Sequence, residues 1–100
     1  MSTDSSVEVR DVPAQHRFEA VDPAAGEVLG FLSYQRDGDR VVLVHTEVDD
    51  AAEGRGVGST LARTALDSVR DDGLRVVAQC PFVTAYVQEH QEYADLLVRP

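Results

Sequence analysis

The stretch Glu53-Gly-Arg-Gly-Val-Gly-Ser-Thr-Leu-Ala-Arg-Thr-Ala-Leu66 sets three glycines at alternate positions directly before an amphipathic run. Each glycine costs regular structure about 0.5–1 kcal/mol relative to alanine, so this density calls for a physical reason. Either the glycines shape a loose turn ahead of a helix, or they clear side chains so that backbone N–H groups can meet an anion. The second role suits a helix start, where the first N–H groups lack internal partners and the helix dipole adds partial positive charge. Spacing alone does not decide between them. GxGxG is not the dinucleotide fingerprint GxGxxG, and the absence of a following Gly-Lys-Ser/Thr excludes a P-loop.

After the loop the period is helical. Leu61, Ala62, Ala65, Leu66 and Val69 fall on one face, with Thr60, Arg63, Thr64, Asp67 and Arg70 opposite. A helix starting about Ser59 should end at Asp71-Asp72-Gly73, where Gly73 takes the position just past the C-terminus. Before the loop, Glu27–Arg36 and Arg40–Val48 have strand composition and are joined by Asp37-Gly38-Asp39, a strong hairpin signal. Val41-Val-Leu-Val44 is apolar on both faces, which predicts a central strand covered on both sides. After the helix, Leu74–Cys80 is a second apolar strand. Pro81 stops it and suits the first position of a further helix over Phe82–His90. Val7–Val12 and Arg17–Val21 are short β-type runs separated by Pro13, and Glu92–Val98 predicts a helical turn packed back on the sheet.

Arg40–Val48 and Leu74–Cys80, joined by one helix, should be parallel with a right-handed crossover, while the earlier strands should be antiparallel. The expected class is α+β: a mixed twisted sheet of about five strands with two main helices on its faces. The 100 residues suffice for one domain, placed over residues 7–100 behind a flexible N-terminus of residues 1–6.

Composition narrows the function classes. A chain that is 43% hydrophobic and 27% charged is too apolar for a disordered protein. No run approaches a membrane span, and the polar start MSTDSSVEVR does not resemble a signal peptide. The lone Cys80 cannot form an internal disulfide, so a cytoplasmic protein is expected. A net charge of −9 opposes binding of nucleic-acid phosphates. Three scattered histidines and one cysteine lack metal-ligand spacing. All nine residues counted as Lys or Arg are arginines.

The run from Val48 to Leu61 resembles the cofactor-binding segment of GNAT-type N-acetyltransferases, whose pattern is Q/R-x-x-G-x-G/A. His45-Thr-Glu-Val48 before it, with Cys80-Pro-Phe-Val-x-Ala-Tyr86 and His90-Gln-Glu-Tyr93 after it, is similar to a compact single-domain, YjdJ-type branch of that superfamily. The pieces come in the family's order and cover the chain from about Val7. The match has departures: Glu53 stands where the family usually has glutamine or arginine, and Asp49 and Gln91 where the branch commonly has proline.

The resemblance implies an acetyl-CoA-dependent N-acetyltransferase with acetyl-CoA, or another acyl-CoA, as co-substrate and a small-molecule or peptide amine as acceptor. It implies that the diphosphate lies on Glu53, Gly54, Arg55, Gly56, Val57, Gly58 and Ser59, with Arg55 and Arg63 offsetting the Glu53 carboxylate. The pantetheine arm is implied to follow the main chain of Val44, Thr46 and Val48, and N–H groups near Val44–Thr46 to serve as oxyanion donors. Tyr86 falls where such enzymes commonly place a tyrosine near the CoA sulfur, as acid for the departing thiolate.

Strand period two puts His45 and Glu47 on one face. Glu47 is a candidate general base and His45 its competitor; a hydrogen-bonded structural histidine and a solvated strand-end carboxylate are the plain alternatives. Tyr86 also shares a helical stripe with Phe82 and His90, as a core tyrosine would. Cys80 falls at a strand end before a helix start, a setting that activates thiols, and is a candidate acyl acceptor in a two-step transfer. A buried inert cysteine is the competing reading.

Three functions fit these features. They are an acyl-CoA-dependent N-acyltransferase, a non-catalytic acyl-CoA-binding regulatory module, and an interaction protein whose glycines only shape a turn. Acidic surface favours a cationic acceptor by steering. An open sheet edge is compatible with a monomer or a weak homodimer.

Overall fold

The structure, a computed structural model, describes residues 7–98. The expectation of a flexible segment over residues 1–6 lies outside the described residues. Five strands form one mixed sheet: β1 (Glu8–Val12), β2 (Arg17–Asp22), β3 (Glu27–Asp37), β4 (Arg40–Val48) and β5 (Arg75–Ala78). They lie side by side in chain order, antiparallel from β1 to β4 and parallel between β4 and β5. The two helices are α1 (Val57–Asp71), between β4 and β5, and α2 (Pro81–Glu89), after β5. This is an α+β sheet of five strands with two main helices.

The amphipathic run forms α1, and its apolar stripe is buried: Val57, Leu61, Ala62, Ala65, Leu66 and Val69. At its C-terminus Gly73 adopts φ 73°, and Leu74 N–H donates to the Val69 carbonyl at 3.0 Å, closing the helix with a left-handed glycine. The helix begins two residues before the expected Ser59. First-turn positions need no internal N–H partner, so Gly58 fits there despite its low propensity. The tail forms a 3-10 segment, Gln91–Leu96, and Leu97 then bridges in parallel to Val76 on the outer side of β5.

The expectation of a sheet covered on both faces is corrected. Both helices and the tail pack on one face, and their buried residues join Phe18, Leu32, Val41, Leu43 and Val76 in a single core. Successive right-handed crossovers from β4 to β5 to Leu97 step in one direction along the sheet, so their helices fall on the same side. Val42 and Val44 are accordingly only half-buried.

The other face is polar. Arg10, Glu19, Phe31 and Glu47 stand opposite one another across four strands, with Arg17, Ser33 and His45 as the adjacent row. Glu19, the buried charged residue among those described, accepts two hydrogen bonds from Arg17 at 2.7 and 2.9 Å. The Arg17 guanidinium also lies 4.7 Å from the Phe31 ring centroid. Charge pairing covers this face where a second helix layer would otherwise be needed.

Two tyrosine links fasten the core face. Tyr34 donates to Asp11 at 2.6 Å, tying β3 to β1, and Tyr93 donates to Asp67 at 2.7 Å, tying the tail to α1. Burial, then the Asp11 bond, pushes the Tyr34 phenol to about 12; the Asp67 bond, then burial, pushes Tyr93 to about 12. A phenol raised in the folded state stabilises fully below the ordinary value of 10.0 and loses that contribution as pH rises toward 12. Burial also raises Tyr86. Tyrosinate absorbance followed against circular dichroism should therefore show all three tyrosines still protonated when a free phenol is half ionised, with ionisation accompanying alkaline unfolding. Titration of folded protein near 10 would contradict these links.

Candidate functional site

The site is built where β4 and β5 part. Their parallel ladder runs from Arg40–Arg75 to Leu43–Ala78 and stops. There the Gln79 and Cys80 N–H groups both donate to the Leu43 carbonyl, each at 3.0 Å, and the chain turns into α2. This turn makes β5 shorter than the expected Leu74–Cys80. β4 continues to Val48 with its β5-facing main chain outside the ladder, which leaves a wedge. On the β3 side, Ser33 lies opposite His45 and Tyr34 opposite Leu43, so Val44 is the extra residue of a β-bulge at the mouth of that wedge.

Above the wedge the glycine loop enters α1. Gly54 has φ 86° and Gly56 φ 74°, conformations that a side chain enters only at a cost. A Cβ at either would project into open space. Gly56 is the N-cap of α1, and no side chain caps the helix. The first N–H groups of α1 are thus presented beside two left-handed glycines, an arrangement that forms an anion-binding concavity. Gly58 has a different reason to be glycine: an added Cβ would lie 2.8 Å from Cζ of Phe82. The loop fits a diphosphate by its main chain, and the wedge fits an extended arm beneath it.

The loop's charged side chains divide. Glu53 is exposed. Arg55 places Nη1 3.7 Å from the Asp22 carboxylate, so its charge is shared with β2 rather than held for a ligand alone. Arg63 is exposed on α1, and its charge acts on the Tyr86 phenol.

The named site side chains fall into two groups on opposite sides of β4. His45 and Glu47 lie together on the polar face, Nε2 to Oε2 3.1 Å, with both side chains more than half exposed. The His45 ring meets the Phe31 edge at 6.2 Å between centroids, and its carbonyl accepts from Ser33 Oγ at 3.3 Å. On the core side, Cys80 is buried and its Sγ lies 3.2 Å from Oγ1 of Thr46, across the wedge. Tyr86 is largely buried in α2, stacked on the His90 ring with centroids 4.0 Å apart. Burial is the main cause of its raised phenol. The structure pairs His45 with Glu47 and Thr46 with Cys80, and it sets Cys80 and Tyr86 in the same buried core.

Two features lie beyond what the sequence reading supplied. The Thr46–Cys80 contact joins residues 34 positions apart and has no local signature. Phe82, a surface residue with 41% exposure, lies against the start of α1. Among the described residues, no group of three or more His, Cys, Asp or Glu side chains is placed to hold a metal ion.

These local causes separate by mutation. Gly56→Ala should cost about 1 kcal/mol through backbone strain alone, whatever residue occupies position 82. Gly58→Ala should cost a similar amount through contact with the ring, and most of that loss should vanish in a Phe82→Ala background. Thermal unfolding of the four proteins of the Gly58/Phe82 cycle measures this, since ~1 kcal/mol shifts a midpoint by roughly 4–8 °C at this size. Additive effects of the two changes would contradict the close approach.

Comparison with known proteins follows the same lines. Residues 17–96 match the model of the GCN5-related N-acetyl-transferase family. Protein NATD1 from Homo sapiens is 43% identical over 60 residues, covering 59% of this chain and 53% of that protein. Protein NATD1 from Danio rerio is 33% identical over 70 residues, covering 67% of this chain and 64% of that protein. The chain spans about half the length of the curated relatives it matches first. A GCN5-like protein from Staphylococcus aureus has the same fold, with TM-score 0.70, 24% identity and coverage of 96% of this chain and 92% of that one. Nourseothricin acetyltransferase matches with TM-score 0.52 and 26% identity over 62% of this chain and 38% of its own. The match over the glycine loop, strands β2 to β5 and both helices makes the chain a member of the GCN5-related N-acetyltransferase family.

Proposed function

We propose that this protein is an N-acetyltransferase that moves an acyl group from acyl-CoA to an amine acceptor. The observation that carries this reading is the uncapped α1 N-terminus beside left-handed Gly54 and Gly56, set directly over the parting of β4 and β5. Bound acyl-CoA would supply a thioester, an acyl group already activated toward amines.

The N–H groups of the loop through Ser59 hold the diphosphate, where helix dipole and open donors favour negative charge. The unladdered main chain of Val44, Thr46 and Val48 binds the pantetheine amides. The end of the β5 ladder at Leu43, with the bulge at Val44 beside it, leaves N–H groups near Val44–Thr46 to donate to the acyl carbonyl oxygen as it gains negative charge. From the polar face, Glu47 takes the ammonium proton, directly or through water. His45, hydrogen-bonded to it, orients the carboxylate or accepts the proton in its place. From the core side, Tyr86 is kept a neutral phenol by burial, the state that can protonate a departing thiolate. Donor and acceptor thus approach β4 from different sides, and the thioester is met between them.

Cys80 offers a second route at the same place. Its thiolate would attack the thioester carbonyl and expel CoA thiolate; the amine would then displace Cys80 and regenerate the thiol. The 3.2 Å contact with Thr46 supports this route, because the hydroxyl can donate to a thiolate. The burial of Cys80 supports direct transfer instead.

Two measurements test the proposal. Acetyl-CoA at about a hundred times its dissociation constant should stabilise the fold by ~2.7 kcal/mol, visible as a raised unfolding midpoint. Unchanged unfolding at millimolar acetyl-CoA would rule the cradle out. With an amine panel, Glu47→Gln should lower turnover by roughly 10²–10⁴-fold while leaving acetyl-CoA binding intact. Turnover unaffected by that change would remove Glu47 as base, and binding without turnover of any amine would favour a non-catalytic acyl-CoA module. Intact mass after acetyl-CoA exposure separates the two routes: an acetyl adduct absent from Cys80→Ser supports transfer through the thiol.

A further inference from the structure

Phe82 is the second residue of α2, and Gly58 is the second residue of α1. One helix starts past the end of β4 and the other past the end of β5, so a contact between them spans the top of the wedge. The Phe82 ring makes that contact. An ideal Cβ on Gly58 would lie 2.8, 3.2 and 3.4 Å from three of its ring carbons, so the ring is seated against the bare backbone of α1's first turn. Yet the side chain is not consumed by the core: Phe82 remains 41% exposed, one of two large hydrophobics exposed among the described residues.

We infer that Phe82 is the pantetheine clamp of this site: its exposed ring face covers the extended arm of CoA where it passes from the N–H cradle of α1 into the wedge. The inference rests on the acyl-CoA reading and adds to it a residue that tells whole CoA from its nucleotide end. The division follows from the proposed placement of the cofactor. Phosphates held at the start of α1 lie on one side of the ring, and a thioester reaching Val44 and Thr46 lies on the other. An arm joining them runs alongside Phe82, and its gem-dimethyl and methylene groups are the part of CoA suited to an aromatic face. Gly58 keeps the ring low by offering no side chain beneath it. Pro81 ahead of it fixes φ at the helix entry and limits where the ring can swing. A nucleotide that ends at its 5′-phosphate does not extend past the ring.

The test is equilibrium binding to the full chain, by calorimetry, of CoA and of 3′,5′-ADP, which lacks the diphosphate link and the pantetheine arm. Phe82→Ala should weaken CoA roughly ten-fold, the order expected for losing burial of one aromatic face, and change 3′,5′-ADP less than about two-fold. Phe82→Leu keeps apolar bulk, guards against a folding defect, and should fall between wild type and Phe82→Ala for CoA. An equal loss for both ligands would overturn the inference, since the ring would then merely support the helix start. Unchanged or tighter CoA binding in Phe82→Ala would overturn it as well. If wild type binds neither ligand, the acyl-CoA reading itself fails and takes the clamp with it; 3′,5′-ADP binding with no added contribution from the CoA arm overturns the clamp alone.

Discussion

The site depends on one carbonyl. Leu43 accepts N–H bonds from both Gln79 and Cys80, and that double acceptance ends the parallel ladder while β4 still has five residues to run, Val44 to Val48. Had the ladder continued, the main chain of Val44–Val48 would be paired to β5 and no wedge would exist. Pro81 makes the departure unavoidable, because it has no N–H to extend a strand and its fixed φ suits a helix start. The bulge at Val44 shifts the register on the other edge of β4 at the same level, and pairing with β3 then resumes at His45 and runs to Val48, so the strand is released on its β5 side alone. Backbone polarity, usually consumed by a sheet, stays outside the ladder along this edge of β4.

The one-sided arrangement of helices gives that wedge two different approaches. Toward the core, the side chains reaching it are Thr46 and Cys80, with Tyr86 buried in α2. Toward the uncovered face they are His45 and Glu47, exposed and bonded to each other. A thioester needs a dry, fixed environment, and an incoming amine needs access and a base; on the proposed reading, a sheet with only one helical layer would supply both on a single strand. The Arg17–Glu19 pairing and the cation over Phe31 show how the bare face keeps its order without a second layer.

The large elements were legible because each has a local cause. The 3.6-residue stripe from Leu61 to Val69, Gly73 beyond its end and Asp37-Gly38-Asp39 between two β-type runs fix α1 and the β3–β4 hairpin by neighbour chemistry alone. The three alternate glycines were legible as a demand but not as a mechanism. Two of them meet a backbone requirement and the third a contact with a ring 24 residues later in the chain. That contact, the Thr46–Cys80 approach and the one-faced packing depend on which segments meet in space, and no window of sequence contains them. The apolar run Val41–Val44 misled for the same reason. It suggests two covered faces, but the direction of successive crossovers decides which face receives helices, and Val42 and Val44 lie on the face that receives none.

The central claim is that the parted strands and the glycine-opened helix act together as one acyl-CoA site. A backbone amide map of the isotopically labelled chain, recorded while CoA is added, addresses it most directly, because it reports on every N–H proposed to bind. The account predicts the largest shifts in two separated stretches, Val44–Val48 and Gly54–Ser59, saturating together with one dissociation constant. Shifts confined to another part of the molecule, such as the hollow of about 250 Å³ around Phe18, Tyr34 and Val69 at the far end of α1, would contradict it.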